Sequence, residues 1–524
     1  KLACCNLSES FENSATVDVG YTDAVSGAKQ IQLLGLAGIY SQLMLENMPF
    51  MRGIGASYGL NFVPGSWMES IQISKGTSSV INGYESITGQ INVEYKKTKM
   101  LYPIFLNYYV NSELKNELNF LANQKVNDKL STLLMGHGSI LRKKWDKNND
   151  GFMDQPEVDQ INLFNRWAYE GEGYHSLFGV NFINENRNGG QTDFNKEINL
   201  NDTLKYGIGV KNQRFQVFTK NGFEIKGMEE TSIGIQASAL YHNQDAFFGL
   251  TNYSGIQKGI YLNTIFQSEI VHHHSYSVGF SYQYDNFEEK YNKLNGDKTY
   301  DTSYYLNRNE SVPGVFAQYT ADLADKLTII LGIRADFNSY YKTFYTPRFH
   351  LKWNMNNSTT FRASAGKGYR STNVIAENIG LLASSRTLML IDKPGLEEAW
   401  NYGVSFSKCW EFENKRKLSF NIDYYRTYFI NQVVIDIDHM THHIDVYNLG
   451  FNNSGGKSYS NSLQAEIIFE PIKRLNITVA GRLNDVETDY LVGKLEKPYI
   501  SKFKGLFTLS YSSRSEKWMF DFTT

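Results

Sequence analysis

The chain has 524 residues, and its 52 Lys and Arg against 54 Asp and Glu leave a formal net charge of -2, a balance without the broad basic face a nucleic-acid partner needs. Mean hydropathy is -0.41, and there is no apolar run of the roughly 18 residues that a membrane-spanning helix requires, so a helical membrane protein is excluded. A transmembrane β-barrel is not, because lipid-facing and lumen-facing residues alternate along its strands and average to a polar composition. With 35 Tyr and 33 Phe against 9 Pro and 3 Cys, the composition favours strands.

The chain begins at Lys1 with no charged segment followed by an apolar one, so any export signal is expected upstream. Cys4 and Cys5 are adjacent and Cys409 is distant, which builds no disulfide or zinc spacing. Leu2-Ala3-Cys4 has the outline of a lipoprotein cleavage site, but the apolar segment that must precede it is missing, and the thiols read as structural. Met44, Met48 and Met51 follow within nine residues of one another. Their thioethers are either soft ligands for a metal such as Cu(I) or gap-filling core side chains.

Residues 64–97 are the most informative stretch. Glu69, Ile71 and Ile73 alternate, Lys75-Gly76 turns the chain, a small-residue segment runs from Thr77 to Tyr84, and Gly89-Gln90-Ile91-Asn92-Val93 restarts a strand. Gly76, Gly83 and Gly89 punctuate a compact unit. The stretch resembles the plug-domain signature of TonB-dependent outer-membrane receptors. That resemblance implies an N-terminal α+β plug over residues 1–98, lodged in the lumen of an antiparallel transmembrane β-barrel over residues 99–524. It also places Met44, Met48 and Met51 near the plug apex that faces external ligand, where the family commonly has Gly at the position of Asn47.

From Tyr102 onward the chain is a march of strand-like segments. They run from Ile104–Val110 and Leu114–Ala122 through Leu204–Thr219, Gly259–Gln267 and Leu327–Phe337 to Phe503–Tyr511 and Lys517–Phe522, about nineteen in all and mostly bilayer-crossing in length. Short connections such as Asn221-Gly222, Ala324-Asp325 and Pro471–Arg474 alternate with long ones over 143–159, 377–397 and 431–459. Short turns at one end and long loops at the other are the outer-membrane pattern and fit a soluble sandwich or propeller poorly. Tyr pairs such as Tyr108-Tyr109 and Tyr424-Tyr425 suit the headgroup level. Pro347–Trp353 followed by Phe361–Arg370 resembles a strand pair of the same receptors, whose barrels have 22 strands when complete, so C-terminal strands are expected beyond Thr524.

Asp146, Asn148, Asp150, Gly151, Phe152, Asp154 and Glu157 match the calcium-loop pattern at every fixed position. Alternating hard oxygens, the Phe152 carbonyl and a closing carboxylate can wrap a Ca2+, and a structural Ca2+ is the one cofactor expected. His439, His442 and His443, with Asp436, Asp438 and Asp445 nearby, offer imidazole and carboxylate to a metal or its complex. His272-His273-His274 is expected at a short periplasmic turn, away from substrate. No hydrolase, metalloprotease or nucleotide-binding signature is present, so no enzyme is expected.

The resemblance implies active import across the outer membrane of a Gram-negative bacterium. Its partners would be outer-membrane lipids, a TonB-type energy-coupling protein and an extracellular small molecule such as a metal chelate: siderophore, haem, cobalamin or a copper complex. The alternatives are a glycan or peptide cargo, or a plugged barrel serving a surface lipoprotein or secretion assembly.

Overall fold

The computed structural model describes residues 6–98, 102–200, 204–297, 299–412, 416–450 and 457–524; Cys4 and Cys5 lie outside them. The chain forms a closed barrel whose sheet contains 22 strands. Nineteen of them follow one another as an antiparallel meander from Ile104–Val110 to Met519–Thr523, matching the periodicity count. The other three, Thr387–Leu390, His443–Gly450 and Gly493–Glu496, are short additions beyond the wall.

Alternation builds this wall inside out relative to a soluble sheet. Along Tyr174–Gly190, Phe178 and Phe182 point outward and are exposed, while Asn181, Glu185 and Arg187 point inward and are buried. Along Glu157–Gly171, Ile161, Leu163 and Trp167 face out, whereas Gln160, Asn162 and Arg166 face in. Successive side chains of a strand take opposite faces, so apolar residues meet lipid and polar ones line the lumen.

Several strands are far longer than their apolar alternation suggests. Gly259–Gln267 widens to Thr251–Val271, and Asn221-Gly222 lies inside Gly207–Glu224, with the turn itself at 225–231. Likewise 431–459 is not one loop, since Lys417–Asp436 extends into it and His443–Gly450 adds a strand. Outside the bilayer, ladder hydrogen bonds continue through polar residues, where the lipid-driven pattern no longer marks them. The Tyr424-Tyr425 pair accordingly sits inside Lys417–Asp436 and not at its end.

Residues 17–95 fold into two small sheets, Val17–Tyr21 with Lys29–Leu33 and Leu36–Ala37, and Met48–Pro49 with Ser41–Leu45, Gly89–Tyr95 and Met68–Lys75. Their core continues into the barrel: Trp67 packs edge-on to Tyr95, and Tyr95 edge-on to barrel Phe164 at 5.1 Å. Each fully buried aromatic of this kind contributes about 1.5–3 kcal/mol through lost apolar exposure. Around them, arginines of the wall donate to plug carbonyls. Arg166 reaches Lys96 O at 3.0 Å, Arg187 Ser26 O at 3.2 Å, Arg214 Phe50 O at 2.7 Å, Arg348 Ser79 O at 2.9 Å and Arg482 Thr16 O at 2.9 Å. Arg166 also pairs with buried Glu46, and Arg482 with Asp18. The plug is thus bonded to the wall through its main chain.

The connections 142–156, 372–395 and 437–450 emerge at one end, and 225–231, 324–326 and 473–474 at the other. Single cysteines in place of Asn149 and Lys473 test this. A membrane-impermeant maleimide added to intact cells should label the first and spare the second until the outer membrane is permeabilised; the opposite pattern would invert the topology.

Candidate functional site

The space under the long loops is set by the plug hairpin around residues 21–29 and by the strap 372–395. The strap descends onto the plug: Val374, Ile375, Ala376 and Ile379 are buried with plug residues Ile54, Tyr58 and Phe62, and Ser57 donates to Ala376 O at 2.6 Å. Its strand Thr387–Leu390 pairs in parallel with the start of His443–Gly450, so strap and neighbouring loop are one unit.

The strap is anchored by a buried ionic knot. Arg370, at the top of its strand, pairs with Glu377 of the strap at 2.6 Å and also with Glu397. Glu397 accepts from Tyr40 Oη of the plug and from Val433 N, both at 3.0 Å, and Gln432 donates to the Tyr40 oxygen at 2.9 Å. Plug, strap and three wall strands therefore meet at one carboxylate. Beside it a cavity of about 200 Å³ is lined by Tyr40, Arg370, Gln432, Ile435, Lys497 and Tyr499. Burial pushes the half-buried Lys497 ammonium below its usual range, against the opposing pull of Glu397.

A second cavity, about 420 Å³, lies on the other side of the hairpin, lined by Asp23, Lys29, Glu117, His137, Asp154 and Arg187 among others. The larger volume is within the range of small-molecule sites, roughly 300–1,000 Å³. Charges of both signs converge there, supplied by plug, wall and loop.

The structure distributes the residues singled out in the sequence. Asp154 lines the larger cavity, and its loop is wound about Asp146, whose carboxylate accepts from Asp150 N at 3.1 Å and Gly151 N at 2.9 Å. Lys147 N donates to Asp154 at 3.0 Å, Gly151 takes φ +85°, and Glu157 heads its strand. His439 and His443 meet on buried Asp445, at 2.7 and 3.3 Å, while exposed His442 contributes its backbone carbonyl to Thr387 N.

Met44 and Met48 are buried in the plug, and Met51 lies beside a small cavity that also touches Arg52 and Arg370. The hairpin turn Glu46-Asn47 points toward Arg166 and Lys96, in the half of the barrel nearer the short turns, and not to the apex. Both turn residues are left-handed, at φ +55° and +61°, a geometry in which Asn stands in for Gly; Asn47 N is held by the Asn92 side chain at 2.8 Å. Periodicity gave no hint of Tyr40, Glu397, Gln432 or Lys497, whose spacing in sequence carries no pattern. Arg370 closes the Phe361–Arg370 motif and was the one visible signal.

A plugged antiparallel barrel with long loops on one rim and short turns on the other is an outer-membrane receptor. A family model, TonB dependent receptor-like, beta-barrel, matches residues 136–460, and the chain belongs to this family of Gram-negative outer-membrane transporters, which are not enzymes. Solved structures share the fold. The siderophore receptor PiuA from Acinetobacter baumannii is 11% identical at TM-score 0.69, over 97% of this chain and 82% of that one. The copper transporter OprC is 10% identical at TM-score 0.74, over 97% and 82%. The ferripyoverdine receptor of Pseudomonas aeruginosa is 12% identical at TM-score 0.72, over 99% and 73%. No curated protein matches the chain in sequence.

Replacing Arg370 by Met strands the buried carboxylates of Glu377 and Glu397 without their shared cation. Removing one partner of such a pair costs about 3–5 kcal/mol, so hydrogen exchange across 372–395 should accelerate while the barrel amides stay protected; an unchanged strap would show that the knot does not hold it.

Proposed function

We propose that this protein imports a metal chelate, in the siderophore or copper-complex class, by TonB-dependent transport. The observation that carries the reading is a folded plug, bonded to the wall by buried arginines, beneath loop-side cavities of about 420 and 200 Å³ in a member of this receptor family. Such a plug closes the lumen to passive diffusion, so passage requires work done on it. The functions named for the siderophore, copper and ferripyoverdine structures favour a chelate over a glycan or peptide. The larger cavity is the proposed seat, since polar groups from plug, wall and loop converge on it and can orient a compact polar complex.

The test is accumulation of isotopically labelled ferric siderophores and copper complexes in cells expressing the receptor. At least one should accumulate with an energised inner membrane and a functional TonB-type partner, and only bind when either is removed. Accumulation that persists without energy, or uptake of oligosaccharides and peptides alone, would overturn the proposal.

A structural Ca2+ at Asp146, Asn148, Asp150, Phe152, Asp154 and Glu157 is proposed with it. The loop already turns around its first carboxylate, with glycine at the position the pattern requires. An oxygen-only donor set suits a hard cation. Chelation should then speed proteolysis within 142–156 in the wild type and leave the Asp150→Ala, Glu157→Ala double variant, already cut fast, unaffected. Equal cutting rates in both proteins, with and without chelator, would reduce the loop to a polar turn.

A further inference from the structure

At the short-turn rim, two neighbouring hairpins bring together a set of donors that transport does not explain. The turn after Thr251–Val271 carries His272 and His273, and the turn after Tyr300–Leu323 carries Ala324 and Asp325. One ligand atom from each of His273, Asp322 and Asp325 lies within 4.8 Å of the others, and they form the one such group of three His, Cys, Asp or Glu among the described residues. His273 Nδ1 stands 3.9 Å from Asp325 Oδ1.

Asp322 supplies the independent observation. Its Oδ1 is shielded from solvent and accepts no hydrogen bond among the described residues, although its own amide is bonded to His273 O at 2.9 Å. A shielded carboxylate oxygen with no donor is costly unless a cation answers it. A second carboxylate beside it, on Asp325, adds repulsion that only positive charge relieves. The backbone holds the group in register: His273 N donates to Glu269 at 2.7 Å, and the residue is left-handed at φ +71°. His272 stacks on the His273 ring at 4.1 Å, leaving a second imidazole at the edge of the cluster. His274, by contrast, is committed to Tyr319 Oη at 2.6 Å.

We propose that His273, Asp322 and Asp325 bind a divalent transition cation of the Zn2+ class, clasping two adjacent turns at the periplasmic rim. One imidazole nitrogen with two carboxylates suits a borderline metal, whereas Ca2+ and Mg2+ select all-oxygen sets. Bond lengths near 2.0–2.2 Å need the donors closer than they stand. Exposed His273 and Asp325 can supply that movement by side-chain rotation, while Asp322 stays fixed between them.

Zn2+ titration calorimetry on the full chain in detergent tests the site, with heat-dependent gel mobility reporting the folded barrel. Asp322→Asn and His273→Ala should each bind one equivalent fewer than the wild type, His274→Ala should retain it, and excess Ca2+ should not displace it. Asp322→Asn preserves shape, so loss of that equivalent in a folded barrel reports the ligand and not the fold. Identical Zn2+ stoichiometry in wild type and in the His273→Ala, Asp322→Asn double variant, or no binding by the wild type, would overturn the proposal.

Discussion

A guanidinium buried at the lumen wall must be answered by oxygen, and here much of the answer comes from the main chain of the plug. Arg166, Arg187, Arg214, Arg348 and Arg482 rise from different strands, and each donates to one or more plug carbonyls. Both partners would be stranded if the plug withdrew dry. Hydrogen bonds to charged groups are worth about 1.5–3 kcal/mol each, so several broken together exceed thermal energy by a wide margin. Carbonyl acceptors also make the seat depend on the plug's fold as much as on its side chains.

That constraint explains the division of labour within the barrel. Where strands face lipid they carry Phe178, Phe182, Ile161 and Trp167, and where they face the plug they carry Asn, Glu and Arg. On the side of Phe164 aromatic packing joins plug and wall beside the bonds of Arg166. Near the long loops carboxylates join the carbonyl acceptors: Glu397 gathers Arg370, Tyr40 and Val433, and Arg52 of the plug pairs with Glu85 at 2.8 Å and with Asp285. Charged pairs add to backbone acceptors, such as Thr372 O for Arg308 at 2.6 Å, where strap, plug and wall all meet. Plug and strap touch directly, Ser57 on Ala376 O, and are also joined through Tyr40, Glu397 and Arg370.

The two rims differ in their chemistry. The long-loop rim holds cavities, a carboxylate-wound loop and imidazoles committed to Asp445. The opposite rim is made of tight left-handed turns, at His273, Ala324 and Arg474 among others, which reverse the chain with few residues. Ligand reception requires the first kind of surface and strand closure only the second.

How much was legible in advance follows from the range of each interaction. Nineteen wall strands, the plug signature at 64–97 and the alternation of long and short connections were visible because period-two patterning and turn chemistry are local. Strand ends beyond the bilayer were not, since ladder bonds between polar residues leave no mark in composition, as Asn221-Gly222 inside Gly207–Glu224 shows. The calcium-loop residues were legible as a motif because their donors are neighbours in sequence. The placement of Met44 and Met48 was decided by the plug's packing and by the hairpin's direction, which thioether chemistry does not encode. The knot of Tyr40, Arg370, Glu397 and Gln432 joins residues hundreds of positions apart. Sequence by itself determined a plugged barrel with long connections at one rim and short turns at the other; only the closing of the wall around the plug decided which buried charges would face one another, because that depends on strand register around the whole circumference.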